Sequence, residues 1–182
     1  MVPKIKKILF ISDLSKSSRN AFYYAASIAS FYKADIDVFH AMEDIQESMK
    51  TYIFSFLGEE LWEKYEEDKK NHARSLLISK KNDSTMVQKA LEILSEDSKE
   101  RLQEQKTLVN QIIVKNQETD ITNEIHYQCE KENYDLIVAS YKCFISLTGI
   151  RAGARIKKTI KSNNIPLLLV PVLEEEWEEG EE

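Results

Sequence analysis

The first forty residues alternate between strand and helix patterns, and this alternation restricts the fold more than any other feature. Lys6–Ser12 is a short, nearly continuous apolar run, as expected for a strand covered on both faces. A second run, Ala34–His40, follows a stretch with apolar residues three or four positions apart, namely Phe22, Ala25, Ala29 and Tyr32. Ser15 or Ser17 is expected to cap this helix. Strand, helix and strand in this order predict a parallel pair with a right-handed crossover.

Three further strands and two further helices are predicted in the second half of the chain. The strands are expected at Leu108–Val114, Asp135–Ser140 and Leu167–Val172, and the helices at Thr119–Asn133 and Ile150–Ser162. Pro171 has no amide hydrogen, which places the last strand at an edge or end of the sheet. Five strands that alternate with helices predict a three-layer α/β fold around a parallel sheet.

Residues 43–106 carry no strand pattern and are expected to form an enlarged helical segment between strands two and three. One helical stripe runs through Leu61 and Tyr65, and a clearer one through Val87, Ala90, Leu91, Leu94, Ser98 and Leu102. The polar residues Lys80–Asp83 separate them as a turn. The apolar segment Met49–Leu57 is interpreted as a lid packed on the core, with a partner surface as the alternative. We expect one domain, residues 1–173.

The charge of the chain is distributed unevenly. Its net charge is −6, but residues 174–182 alone contain seven glutamates and no basic residue. The remaining 173 residues carry 24 acidic and 25 basic side chains and are nearly neutral. A dense block of like charge repels itself, so residues 174–182 are expected to form a disordered acidic tail. A neutral body with an acidic tail argues against a nucleic-acid partner.

No segment of the sequence predicts export or membrane insertion. The longest apolar run, Ile165–Leu173, is short and contains two prolines. The apolar stretch near the N-terminus ends at Asp13 and is too short for a signal peptide. Two cysteines, Cys129 and Cys143, fit a reducing compartment without a disulfide framework. We therefore expect a cytoplasmic protein with no membrane partner.

Four segments resemble those of universal stress proteins. They are Ile8-Leu-Phe-Ile-Ser-Asp-Leu-Ser15, Val38-Phe-His-Ala41, Tyr134-Asp-Leu-Ile-Val138 and Ile165-Pro-Leu-Leu-Leu-Val170. The similarity covers about Lys4–Met42 and Leu108–Val172, whereas the middle matches only in element type. The resemblance implies the strand order 3-2-1-4-5, with ligands beyond the carboxyl ends of strands one and four.

The resemblance also implies a nucleotide motif, which this chain carries in altered form. Family members that hold ATP have G-x2-G-x9-G-[ST] after strand four, because glycines let the backbone approach the phosphates. Here the spacing is Ser140-x2-Cys143-x9-Gly153-Ala154, so one of three glycines remains and the final hydroxyl is lost. Asp13 resembles the aspartate that contacts the nucleotide. The candidate cleft residues are Ser12, Asp13, Ala41, Ser140, Cys143, Gly153 and Ala154.

Positive charge near the altered motif is a candidate for contacting anions. Lys142, Arg151 and Arg155 supply it, although the two arginines also fit the solvent-exposed face of a helix. Cys143 is interpreted as a tolerated small residue, with a redox-reactive thiol as the alternative. His126 and Cys129 lack a second ligand pair, so no metal site is expected.

These features predict a cytoplasmic regulatory protein that acts by interaction and holds no nucleotide tightly. The resemblance implies a homodimer formed through the fifth strand, Leu167–Val172, and the protein partner is not identified by the sequence. The alternative is a switch that binds ATP with Mg²⁺. An enzyme, whether an ATP hydrolase or a thiol-dependent catalyst, is least favoured because the sequence places no general base.

Overall fold

The computed structural model describes residues 4–42, 49–73, 83–106, 108–116, 121–143 and 164–172. In chain order they form β1 (Lys7–Ser12), α1 (Lys16–Tyr32), β2 (Asp35–Met42), α2 (Met49–Ala73), α3 (Asp83–Arg101), β3 (Val109–Asn116), α4 (Ile121–Lys131), β4 (Leu136–Ser140) and β5 (Leu167–Val170). Helices α2 and α3 confirm the helical segment predicted between the second and third strands. The helix predicted at Ile150–Ser162 and the acidic residues 174–182 lie outside the described residues.

All five strands are parallel and form one sheet in the order β3-β2-β1-β4-β5. This confirms the order 3-2-1-4-5. The central strand β1 pairs with β2 and with β4, so its two ends lie in the middle of the sheet. β5 is an edge strand, as Pro171 predicts, and it ends at Val170 rather than Val172 because proline cannot donate to the ladder.

Helices cover both faces of the sheet. Ile8 and Phe10 of β1 belong to a core cluster that includes buried residues of α1, α2 and α3. Leu9 and Ile11 belong to a second cluster, which contains Ile125 of α4. Alternate residues of a strand point to opposite faces, so the two clusters lie on opposite sides of the sheet. The three-layer α/β prediction is therefore confirmed.

Helix α1 begins and packs largely as its sequence predicts. Ser15 is the N-cap, and its Oγ accepts a hydrogen bond from the Ser18 amide at 3.1 Å. Phe22 is buried and meets Phe10 edge-to-face, with ring centroids 5.1 Å apart. Tyr32, also assigned to the apolar stripe, is instead exposed because it is the last residue of the helix.

Helix α2 contains a sharp bend at Gly58, where φ is +71°. The part before the bend, Met49–Leu57, is helical and buries Ile53, Phe56 and Leu57 in the core. This supports the lid interpretation of the segment. Arg19 of α1 lies against the bend, where its Nη1 donates to the Leu57 carbonyl at 2.5 Å.

A buried carboxylate on β2 connects several strands near their amino ends. Asp37 accepts hydrogen bonds from Asn110, Gln111 and Tyr134 at 2.6–2.9 Å and pairs with Lys7 at 3.0 Å. Two consecutive residues of β3 reach one carboxylate because the β2–β3 register shifts by a residue at this point. Burial alone would raise the pKa of Asp37, but these bonds hold its pKa below the ordinary value.

Candidate functional site

The carboxyl ends of β1 and β4 lie side by side, where the chain connections of the sheet change direction. β1 ends at Ser12, β4 ends at Ser140, and Ile11 pairs with Ala139 just before those ends. Open α/β sheets bind ligands in the crevice at such a switch point. The fold thus brings together three of the candidate residues predicted from the sequence, Ser12, Asp13 and Ser140.

Asp13 closes the turn between β1 and α1. Its Oδ1 accepts hydrogen bonds from the Ser15 amide at 3.0 Å and from Ser15 Oγ at 2.6 Å. Leu14 lies between them with a φ of +57°, an uncommon conformation that the two bonds stabilise. Only 8% of Asp13 is exposed. Its carboxylate therefore supports the start of α1.

Buried serine hydroxyls connect β1, α1 and β4 at the same place. Ser12 Oγ accepts from the Leu14 amide at 3.2 Å and from Ser18 Oγ at 3.3 Å. Ser17 Oγ donates to Ser140 Oγ at 3.4 Å, which joins the first turn of α1 to the end of β4. These four serines are almost completely buried. The polar groups at the strand ends are therefore bonded mainly to one another.

Cys143 stands where the family motif has its second glycine. Its amide donates to Ser140 Oγ at 3.0 Å, and its Sγ lies 3.7 Å from the carbonyl oxygen of Ile11. The residue is fully buried, at 0% exposure. Redox-reactive cysteines are partly exposed, so the burial of Cys143 favours its interpretation as a tolerated small residue.

His40, at the end of β2, belongs to the site although it was not predicted as a candidate residue. Its Nδ1 lies 2.9 Å from the Ser12 carbonyl oxygen, so Nδ1 carries the proton and donates to it. Burial lowers the pKa of His40 to about 4. The imidazole is therefore neutral near pH 7. The signal for it was in the sequence, because Val38–Ala41 resembles a family strand that commonly ends in histidine.

Tyr52 connects helix α2 to the end of β1. Its hydroxyl donates to the backbone carbonyl of Asp13 at 2.5 Å. The first part of α2 thus packs over the core and also contacts the candidate site. Sequence reasoning missed this contact, because a tyrosine inside the apolar segment Met49–Leu57 does not indicate which strand end it meets.

The structure describes only some of the remaining candidate residues. Ala41 belongs to β2, where it follows His40 and pairs with Lys115 of β3. Lys142 is exposed beside Cys143. The candidates Arg151, Gly153, Ala154 and Arg155 lie outside the described residues.

The described part of the chain contains neither a membrane-spanning helix nor a cluster of metal ligands. Its helices are all too short or too polar to cross a membrane. Within the same ranges, no three His, Cys, Asp or Glu side chains are grouped as metal ligands would be.

Similar folds occur among solved structures. The universal stress protein UspA from Lactobacillus plantarum is 13% identical, with a TM-score of 0.57 over 93% of this chain and 99% of that one. The hypothetical protein MJ0577 is 20% identical, with a TM-score of 0.50 over 93% and 98%. A universal stress protein from Archaeoglobus fulgidus is 12% identical, with a TM-score of 0.50 over 93% and 45%. At these identities the likeness shows the fold alone.

Sequence comparison identifies the family. No curated protein matches the chain. The model of the universal stress protein family, in contrast, matches residues 4–171, which includes all five strands and the candidate site. The switch point between β1 and β4, the strand order and this match agree, and the chain belongs to the universal stress protein family.

Proposed function

We propose that the chain is a regulatory universal stress protein that acts through protein interaction in the cytoplasm, as a homodimer and without tightly bound nucleotide. One observation carries the nucleotide part of this proposal. The polar groups at the ends of β1 and β4 bond to each other, and the hydroxyl of Tyr52 donates a hydrogen bond to the Asp13 carbonyl.

The bonding of Asp13 supports a structural role for its carboxylate. Oδ1 already accepts two hydrogen bonds from Ser15, and little of the residue is exposed. A ligand hydroxyl that took this acceptor would weaken the capping of α1. A nucleotide that bonded to Oδ1 would therefore compete with a contact that stabilises the helix.

The bonding of Cys143 supports the same conclusion. Phosphate sites of this kind use free backbone amides in a loop before a helix. The Cys143 amide instead donates to Ser140 Oγ, and its thiol fills the space that a glycine would leave open. Both differences reduce the affinity expected for a triphosphate.

The second candidate function is an ATP-dependent switch, supported by the family match and by the exposed Lys142, two residues after the end of β4. Catalysis finds less support. His40 is buried, its Nδ1–H is donated to Ser12, and its lowered pKa makes it a weak base.

A thermal-shift titration with ATP and Mg²⁺ tests the proposal. A micromolar site at millimolar ATP would stabilise the fold by about 4 kcal/mol. That gain would raise Tm by roughly 8 °C or more. We expect no such rise for the wild type and a larger response for Cys143→Gly, which restores the family glycine. A wild-type rise of this size would contradict the proposal and establish the switch.

The edge strand β5 supports the dimer. The Ile137 amide donates to the Pro166 carbonyl at 2.9 Å, and Ile137 is in register with Leu167. In a parallel ladder, the amide and carbonyl groups of alternate residues point to the same side. The amide and carbonyl of Leu168 therefore point towards β4, and those of Leu167 and Leu169 point away from the sheet. Among the described strands this edge has no partner, and an edge with partly exposed leucines fits strand addition by a second copy.

A further inference from the structure

A cleft of about 600 Å³ lies between α2, α3 and the edge strand β3. It shares no lining residue with the candidate site at the ends of β1 and β4. Its volume is typical of small-molecule sites, which span roughly 300–1,000 Å³. Val109–Ile112 of β3 line its sheet side, and charged residues of α2 and α3 line the rest.

The lining of the cleft is strongly acidic. Two lysines, Lys64 and Lys89, line it together with six carboxylates, those of Glu67, Asp68, Glu92, Glu96, Asp97 and Glu100. Asp68 pairs with Lys89 at 2.7 Å and Asp97 with Arg101 at 2.8 Å, and the remaining excess is local because the body of the chain is nearly neutral. A concave, acidic surface raises the local concentration of cations.

Three of the carboxylates form a regular row along α3. Glu92, Glu96 and Glu100 are exposed and follow one another at four-residue spacing, about 6 Å apart along the helix axis. Each also lies near a lysine, but at 3.4–4.0 Å between nitrogen and oxygen. Exposed pairs at these distances are weak, so another cation can replace the lysines.

The buried hydroxyl of Ser95 is a second feature of the cleft, and it does not depend on charge. Ser95 lines the same cleft and is 4% exposed, and its Oγ has no hydrogen-bond partner among the described residues. Ser98, three positions later, instead donates to the Leu94 carbonyl one turn earlier at 2.9 Å. A buried hydroxyl without a partner is costly, and a ligand N–H donated to it removes that cost.

The edge of β3 supplies further acceptors. In the described part of the sheet, no strand pairs with its outer side. An edge strand presents unpaired carbonyl groups away from the sheet, and Val109–Ile112 therefore offers them to the cleft. Carboxylates, a hydroxyl and carbonyls all accept hydrogen bonds from an ammonium group, which can only donate.

We propose that this cleft binds an aliphatic polyamine, a linear cation with ammonium groups separated by short methylene chains. Its ammonium groups lie against the row Glu92, Glu96 and Glu100, whose spacing is comparable to theirs. One amine donates to Ser95 Oγ, and the methylene chains contact the side chains of Ile93 and Ile112, which also line the cleft.

Isothermal titration of the full chain with spermidine at constant ionic strength tests this proposal. We expect saturable binding of one spermidine per chain. Removal of one charge-assisted contact in Glu96→Gln should weaken it by about tenfold. Ser95→Ala should weaken it several-fold without lowering Tm. Glu63→Gln is the matched control, because Glu63 is an exposed α2 carboxylate outside the cleft. The affinity of the Glu63→Gln variant for spermidine should be unchanged.

Three outcomes would overturn the proposal. The first is the absence of saturable binding at millimolar spermidine. The second is an equal loss of affinity in Glu63→Gln and Glu96→Gln, or equal competition by Mg²⁺ at matched charge, since either reports only general attraction of cations. The third is tighter binding of a lysine-rich peptide than of spermidine, which would assign the cleft to a protein partner.

Discussion

His40 links the acid stability of the protein to the candidate site. It is buried, and its Nδ1–H is donated to the carbonyl at the end of β1. Protonation would place a positive charge in this enclosed position, and burial therefore lowers the pKa of His40 from 6.5 to about 4. The unfolded chain, whose imidazole is solvated, takes up a proton at higher pH than the folded chain does.

This difference predicts how stability depends on pH. The His40 contribution is complete above about pH 6.5 and is lost as the pH falls towards 4, because only the unfolded state binds the proton there. The loss should reach about 3 kcal/mol. Urea denaturation between pH 7 and pH 4 measures it.

His40→Gln provides the comparison for this measurement. Glutamine does not titrate, and its amide can still donate to the Ser12 carbonyl. The difference in unfolding free energy between wild type and variant should therefore change with pH in this window. Parallel pH profiles for the two proteins would show that His40 titrates normally in the fold.

Single residues of the site were predictable where a local motif defines them. The N-cap was predicted as Ser15 or Ser17 from residues next to each other in sequence, and the structure places it at Ser15. Tyr52 could not be assigned, because its contact with Asp13 spans 39 residues and depends on how α2 crosses the sheet. The bonds of Cys143 likewise depend on the packing of two strand ends.

The bend in α2 allows one helix to contact both the candidate site and the acidic cleft. Before Gly58 the helix packs on the core and places Tyr52 at the site, and after it Lys64 and Asp68 line the acidic cleft. Gly58 adopts a φ of +71°, which residues with a Cβ rarely adopt. A Cβ at this position would also collide with the guanidinium of Arg19.

Gly58→Ala should therefore lower the free energy of unfolding by about 1–3 kcal/mol. Chemical denaturation followed by circular dichroism measures the change. Glu59→Ala is the control, because Glu59 is the exposed next residue and its loss should cost less than about 0.5 kcal/mol. Equal stabilities for the two variants would mean that an alanine is accommodated at the bend without strain.

Helices with clear periodicity were predictable, and the bent helix was not. The stripe in α1 and the stripe through Val87, Ala90 and Leu94 in α3 both predict buried faces, and the structure confirms them except at Tyr32. Met49–Leu57 has too many apolar residues for a single stripe, so its sequence fits several structures. Its helical form follows from burial against the core.

At the scale of the whole molecule, the proposed dimer makes a prediction about the edge of β5. Leu169→Pro removes an amide that points away from the sheet and leaves the inferred ladder with β4 intact. We expect a dimeric wild type and a monomeric variant by light scattering, with cooperative unfolding retained in both. Some loss of stability, about 1–2 kcal/mol, is expected from the half-buried leucine.

Leu168→Pro is the matched control for the dimer. The Leu168 amide faces β4, so this change should damage the sheet itself and lower stability more than Leu169→Pro does. A wild type that is monomeric at micromolar concentration would contradict the dimer. So would a Leu169→Pro variant that stays folded and dimeric.

The strand order was predictable from family resemblance, but the contacts that fix the sheet were not. Asn110 and Tyr134 reach Asp37 across 73 and 97 residues of sequence. Asn110 does so through a register shift between β2 and β3 that no short pattern indicates. Such contacts become visible only when the strands are placed beside each other.

The ionic cluster around Asp37 and the serine cluster of the candidate site involve opposite ends of β1. Lys7 begins the strand and Ser12 ends it, about 17 Å away. The sheet is thus held at both ends of β1, by the Asp37 cluster at the amino ends of the strands and by the serine cluster at their carboxyl ends. Because the two clusters are this far apart, a substitution in one should leave the contacts of the other unchanged, and the effects of paired substitutions on stability should add.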